Sequence, residues 1–105
     1  MMLYGRDNDI ARNYKTVDWL KAELLSSVAQ IHRSLAGADD GPRVADMANV
    51  VIGCYLLAKH LGIGYAALDA QIDANIRENI QNGHEIEEWY GDFTSLAAHR
   101  KGRSV

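Results

Sequence analysis

The fold is decided by residues 43–61, which read RVADMANVVIGCYLLAKHL. The stretch has the length of a helix, but apolar side chains fill most positions from Met47 to Ala58 and cannot share one helical face. A helix that is apolar on nearly every side has to be covered from several directions. We therefore predict an all-α fold with this helix at its centre. Because one chain cannot cover it alone, we also predict a helical bundle completed by self-association, as a homodimer or a higher homo-oligomer.

Helical periodicity marks a further main helix on each side of this stretch. Apolar residues there recur at spacings of three and four, which is typical of an amphipathic helix. They are Val17, Leu20, Leu24, Val28, Ile31 and Leu35 in the first helix, and Tyr65, Leu68, Ile72, Ile76 and Ile80 in the third. The sequence thus predicts three main helices, and residues 94–101 predict a short C-terminal helix.

Turn-forming residues separate the predicted helices. The segment 36–42 contains two glycines, the aspartates Asp39 and Asp40, and Pro42, a composition typical of a loop followed by a capped helix start. Gly62 and the pair Asn82-Gly83 predict the ends of the second and third helices, because glycine is common directly after a helix. We divide the chain into a polar N-terminal segment (1–14), a helical core (15–83) and a C-terminal segment with a short helix and a basic tail (84–105).

Composition and charge restrict the classes of partner. The chain is 48% hydrophobic and 24% charged, which is ordinary for one globular domain, and its net charge of -3 offers no overall attraction to nucleic acid or to anionic membranes. The basic cluster at residues 99–103 is read as a solvated tail. We expect a cytoplasmic protein, since no signal peptide opens the sequence and its single cysteine cannot form an internal disulfide.

Polar residues form a strip on each of the first two predicted helices. Glu23, Ser27, Gln30 and Ser34 share one strip, and Asp46, Asn49 and Gly53 share the other. If the two helices pack antiparallel across a short loop, the strips meet and bring together side-chain oxygens that could hold magnesium. Alternatively, these side chains satisfy one another in a hydrogen-bond network between the helices, and the spacing alone favours this second interpretation.

Two segments resemble the small MazG-like proteins. They are residues 17–29, VDWLKAELLSSVA, and 48–63, ANVVIGCYLLAKHLGI, and the resemblance extends over roughly residues 14–80. MazG and its relatives are all-α nucleoside triphosphate pyrophosphohydrolases, dimeric or tetrameric, that use magnesium to release pyrophosphate and a nucleoside monophosphate. The resemblance implies the same scaffold and, if the chain is an enzyme, the same reaction.

The metal motif that the resemblance implies is degenerate in this sequence. Active relatives carry Glu-x-x-Glu on one helix and Glu-x-x-Asp on the next, and these positions hold Ser27 with Gln30 and Asp46 with Asn49. Only Asp46 keeps a charge, and Glu23, one turn before Ser27, offers a partial replacement. Neutral oxygens supply little of the lost attraction for a divalent cation. The resemblance therefore implies a weak metal site, with Mg²⁺ as the cofactor only if the protein is active.

Three further residues are candidates for nucleotide binding. Asn75 matches an asparagine often found in the enzymes, and Arg77 lies near their basic position, whereas Gln71 replaces their lysine. Trp19 lies off the apolar face of the first helix, where its ring could stack on a base or simply pack against a subunit.

The sequence leaves three functions open. The first is a MazG-like scaffold that is catalytically weak or silent and acts by binding a nucleotide or a protein. The second is an active pyrophosphohydrolase whose site is rebuilt from Glu23, Asp46 and Asp73. The third is an interaction module that docks through the segment from Trp89 to Leu96.

Overall fold

Five helices make up the part of the chain that the structure, a computed structural model, describes. Its backbone is described over residues 2–37 and 43–103, and its side chains over 9–37 and 43–102. The helices are α1 (Met2–Ala36), α2 (Val44–His60), α3 (Tyr65–Gln81), α4 (Glu85–Tyr90) and α5 (Asp92–Arg103). Strands are absent from these ranges. The predicted all-α fold class is confirmed.

The chain divides into two compact units, Met1–Tyr65 and Ala66–Val105. The first unit contains α1 and α2, and the second contains α4, α5 and all but the first residue of α3. Among the described helices, none combines the length and the apolar character that crossing a bilayer demands. The boundaries predicted near residues 14 and 83 stay predictions.

Helix α1 begins much earlier than the periodic pattern indicates. It starts at Met2, whereas the apolar repeat begins at Val17. Once a helix is nucleated, each added residue gains a backbone hydrogen bond at little further cost, so an amphipathic stripe is not needed for the helix to extend. The segment predicted to be a separate polar lead-in is therefore helical from residue 2 onward.

The ends of α2 and α3 follow the glycine signals in the sequence. After α2 the N–H of Ile63 donates to the Ala58 carbonyl (2.8 Å) and the N–H of Gly62 donates to the Lys59 carbonyl (3.1 Å). Gly62 has φ +86°, a left-handed conformation that favours glycine, and Gly83 ends α3 in the same way with φ +65°. Both predicted helix ends are confirmed. The predicted cap at Asp39 and Asp40 and the helix start at Pro42 lie outside the described residues.

In the first unit, α1 and α2 pack as an antiparallel hairpin. About one third of the way along α1, the Asn13 side chain donates to the carbonyl of His60 (3.1 Å), and its Oδ1 lies 2.7 Å from His60 Nδ1. Further along, a Cβ placed on Gly53 would lie 3.5 Å from Leu24 Cδ1, so the two backbones approach closely there. These two contacts fix the register of the hairpin.

Polar contacts connect the helices of the second unit. Arg100 of α5 reaches α3, where its Nε donates to Asp73 Oδ1 (2.7 Å) and its Nη2 lies 3.5 Å from Asp69 Oδ1. The sequence suggested that Arg100 belongs to a solvated tail. The structure shows instead that Arg100 forms ion pairs within the fold. A contact separated by 27 residues leaves no local signature from which it could have been predicted.

The junction between α4 and α5 depends on a single carboxylate. Glu87 accepts hydrogen bonds from the backbone N–H of Thr94 (3.0 Å) and from the Thr94 hydroxyl. These hydrogen bonds, the hydroxyl's first, lower the pKa of Glu87 because they stabilise its ionised form. At the start of α4, the backbone N–H of Ile86 donates to His84 Nδ1 (3.1 Å), and the His84 ring packs edge-on against Phe93.

Candidate functional site between the first two helices

The hairpin register brings part of the two polar strips to the same level. Leu24 lies opposite Gly53. Because the helices are antiparallel, Ile31, seven residues after Leu24, lies level with Asp46, seven residues before Gly53. Ser27 and Ser34 are then within about one helical turn of that level on α1. The two strips therefore overlap in level around Asp46, and contact between their side chains stays a prediction.

The predicted metal residues differ in how deeply they lie between the helices. Ser27, Gln30 and Asp46 are half-buried, whereas Glu23 and Asn49 are exposed. Gln30 Oε1 accepts from Arg33 of its own helix, from Nη2 at 2.7 Å and from Nε at 3.3 Å. Its carboxamide oxygen is therefore already engaged with a cation.

No hydrogen bond links Ser27, Gln30, Asp46 and Asn49 to one another across the part of the hairpin that the structure describes. The mutual network that the spacing favoured does not form. Instead, Asp46 Oδ2 is buried and has no hydrogen-bond partner. A desolvated carboxylate oxygen without a partner is costly, so it calls for a donor, a proton or a cation.

Ser34 was not predicted to be a site residue, although the sequence placed it in the polar strip of the first helix. It is only 2% exposed, and its hydroxyl oxygen also has no partner. The signal in the sequence was its position one turn after Gln30 on the buried face of α1. Two unsatisfied buried oxygens, one on each helix, therefore lie near the same level of the hairpin.

This donor set does not fit the magnesium cluster of the active relatives. The half-buried positions supply one carboxylate, Asp46, together with neutral hydroxyls and an amide, and Arg33 adds a positive charge beside Gln30. Within residues 9–37 and 43–102, His, Cys, Asp and Glu do not form any group of three able to hold a metal. Magnesium held against a triphosphate needs several anionic oxygens, because it gives up hydration reluctantly.

The candidate nucleotide-binding residues are distributed over both units. Trp19 of the first unit is exposed, but it lies twelve residues before Ile31, which is about 18 Å along α1. Asn75 and Arg77 belong to the second unit, where the Asn75 side-chain oxygen accepts from Gln71 (2.9 Å) and Arg77 is exposed. The roles proposed for these three residues stay predictions.

Comparison with known proteins bears on the family. The model of the MazG-like family matches residues 10–93 of the 105 in the chain. No match was found among curated proteins or among solved structures. The matched range contains all of α2, α3 and α4, just over three-quarters of α1, and every candidate site residue. With its all-α architecture and a match over most of its length, the chain belongs to the MazG-like family.

Proposed function

We propose that this protein is a MazG-like scaffold that binds a nucleotide between α1 and α2 and does not hydrolyse it efficiently. The observation that carries the proposal is the buried, partnerless Oδ2 of Asp46, together with the equally partnerless hydroxyl of Ser34 at a nearby level of the hairpin. An acceptor kept in this state suits a ligand that brings its own donor, such as a sugar hydroxyl or a base amino group.

The charges around Asp46 favour binding over catalysis. One half-buried carboxylate, with the Arg33 guanidinium hydrogen-bonded to Gln30, cannot reproduce the anionic cage that would position a metal against a triphosphate. Arg33 is itself exposed and suited to contact a phosphate directly. A hydroxyl or amino group of the ligand on Asp46 and a phosphate near Arg33 would together require no metal.

The alternative of a rebuilt catalytic site has less support. Glu23 is exposed, and Asp73 is engaged at 2.7 Å with Arg100. Moving Asp73 to a metal would break an ion pair within its own unit. The active pyrophosphohydrolase is therefore kept as an outcome of the experiment below and not as a second proposal.

We further propose that the scaffold works as a homo-oligomer in the cytoplasm, assembled through one side of the hairpin. At about 100° per residue, the exposed apolar residues of α1 other than Trp19, and several of α2, fall on the same side of the interhelical plane. This apolar side consists of Ile10, Tyr14, Leu25, Val28 and Leu35 from α1 and Val44, Met47 and Val51 from α2. A contiguous apolar surface of this extent is typical of an interface, and a second hairpin would complete a four-helix bundle.

Pyrophosphate release tests the proposed lack of activity. A panel of ribo- and deoxyribonucleoside triphosphates is assayed with magnesium and then with manganese, and Asp46→Ala is the control. We expect no turnover above background, together with nucleotide binding by the wild type that Asp46→Ala weakens in calorimetry. Turnover that disappears in Asp46→Ala would overturn the proposal and make the protein a pyrophosphohydrolase with an unusual metal site.

A further inference from the structure

Helix α4 carries its apolar side chains on the side that faces solvent. Ile86, Trp89 and Tyr90 are spaced by three and four residues and share one face, and they are 41%, 67% and 73% exposed. The residue of α4 that is not exposed is Glu87, whose carboxylate accepts from Thr94. The contact with α5 is thus polar, and it leaves the apolar face of α4 uncovered.

These three residues form what we call the aromatic patch. The rings of Trp89 and Tyr90 meet edge to face, with centroids 6.4 Å apart and planes at 84°. Isolated apolar side chains on a surface are common, but a contiguous group that includes tryptophan and tyrosine is typical of a binding surface. The side chains of Trp89 and Tyr90 lose little conformational entropy on binding, because each has few rotatable bonds.

The segment that carries the aromatic patch is negatively charged. Glu85 and Glu88 of α4 and Asp92, which follows α4, are exposed, and the sequence contains no lysine or arginine between Arg77 and Arg100. The carboxylate of Glu88 lies over the turn before α4, where a Cβ on Gly83 would be 2.9 Å from its Oε1. The patch therefore lies in a locally negative field.

The negative field decides which occupant the patch suits. Anionic lipid and nucleic acid are repelled by it. A second copy meeting it symmetrically would place two sets of carboxylates opposite each other, which is unfavourable. A partner that carries lysine or arginine is attracted, and its cation gains further when it lies over the face of Trp89 or Tyr90.

We propose that the aromatic patch docks a segment of another protein that combines an apolar anchor with lysine or arginine side chains. The anchor packs on Ile86 and the two rings, and the cations pair with Glu85 and Glu88. This surface lies in the second unit, so the proposal is independent of nucleotide binding at Asp46. A negative result for peptide docking would therefore not contradict nucleotide binding, and the reverse also holds.

The experiment follows the emission of Trp89. The chain has two tryptophans, so Trp19→Phe leaves Trp89 as the reporter. The probe is a synthetic helical peptide of about four turns with leucine on one face and lysine on the other, and its control has glutamate at every lysine position. We expect a saturable change in emission with the lysine peptide and none with the glutamate peptide. Equal responses to both peptides, or no response to the lysine peptide, would overturn the proposal.

Matched variants separate local docking from general attraction. The double variant Glu85→Gln with Glu88→Gln should bind the lysine peptide about fivefold more weakly, as expected for the loss of two exposed ion pairs. Asp9→Asn with Asp18→Asn changes the net charge equally at two exposed positions of the first unit and should leave the affinity unchanged. Equal weakening by both pairs contradicts the proposal.

Removal of the anchor gives the larger effect. The affinity of Trp89→Ala for the lysine peptide, measured by calorimetry, should be about thirtyfold lower if the ring is the centre of the contact. Circular dichroism checks that each variant keeps its helices, and Trp89→Phe replaces Trp89→Ala if it does not. An unchanged affinity of Trp89→Ala for the peptide would overturn the proposal. So would a lower mass of Trp89→Ala than of the wild type in light scattering, because the patch would then be an interface between copies of the chain.

Discussion

The two units of the molecule differ in the partners of their less exposed polar groups. In the second unit Arg100 contacts Asp73 and Asp69, and Glu87 accepts from Thr94. In the hairpin, Ser34 and Asp46 keep buried oxygens without partners. Unsatisfied buried groups reduce stability, so their location in the hairpin is what supports our proposal that a ligand binds there. The pairing in the second unit marks contacts that hold the fold together.

The largest effect is expected at the apolar side of the hairpin. Val51→Glu places a charge in the middle of the proposed interface, and we expect the oligomer to dissociate to monomer because a buried, unpaired carboxylate is too costly to retain. Light scattering after size-exclusion chromatography measures the mass. Ala22→Glu, which lies on a different side of α1, is the control and should keep the mass of the wild type. A monomeric wild type, or an unchanged mass in Val51→Glu, would contradict the proposed interface.

The second unit should lose stability when its main ion pair is removed. Arg100→Met keeps an unbranched stem close to that of arginine but leaves Asp73 without its donor, and we expect the free energy of unfolding to fall by about 1 kcal/mol. Urea denaturation gives the value. Lys101→Met, at an exposed neighbouring position, should change it by less than about 0.5 kcal/mol. Equal effects of the two substitutions would show that the contacts of Arg100 do not stabilise α5 on α3.

The hairpin should respond in the opposite direction when an unsatisfied group is removed. Ser34→Ala deletes a buried hydroxyl that has no partner, so we expect the free energy of unfolding to rise by about 1 kcal/mol. Ser26→Ala, at an exposed position of the same helix, corrects for the better helix propensity of alanine. A fall in stability for Ser34→Ala relative to this control would mean that the hydroxyl has a partner in solution.

The smallest effect concerns pH and the α4–α5 junction. The pKa of Glu87 is lowered in the folded protein, so its contribution to stability is present above the ordinary value of 4.5 and is lost as the pH falls through the lower folded value. We expect Glu87→Gln to be less stable than the wild type at neutral pH, and the difference to shrink under acid. Urea denaturation at pH 7 and at successively lower pH tests this. A difference that grows under acid would contradict the assignment.

Much of the fold was predictable because it depends on local patterns. The bounds of α2 and α3 follow from the apolar run, from the three-and-four spacing and from Gly62 and Gly83, all of which act within a few residues. The early start of α1 has no such pattern. The outward-facing Trp89 and Tyr90 were also not predictable, since a short apolar run does not show which side of a helix will be covered.

The hairpin that carries the candidate site was predictable, but the contacts of its side chains were not. The short loop between the predicted helices indicates antiparallel packing of α1 against α2, which the structure has, whereas the grouping of Ser27 and Gln30 with Asp46 stays a prediction. The engagement of Gln30 with Arg33 and the unsatisfied oxygens of Ser34 and Asp46 depend on the geometry of individual side chains. Periodicity gives the level and the face of a residue, but it does not give the direction in which a carboxamide or a hydroxyl points.

Thermal unfolding in the presence of divalent metal tests most directly whether this MazG-like scaffold has lost the metal chemistry of its active relatives. A ligand that binds the folded state raises the melting temperature once its concentration exceeds its dissociation constant. With a single half-buried carboxylate at the site, we expect the melting temperature to be the same with and without millimolar magnesium or manganese. A clear rise with either metal that disappears in Asp46→Asn would contradict the account.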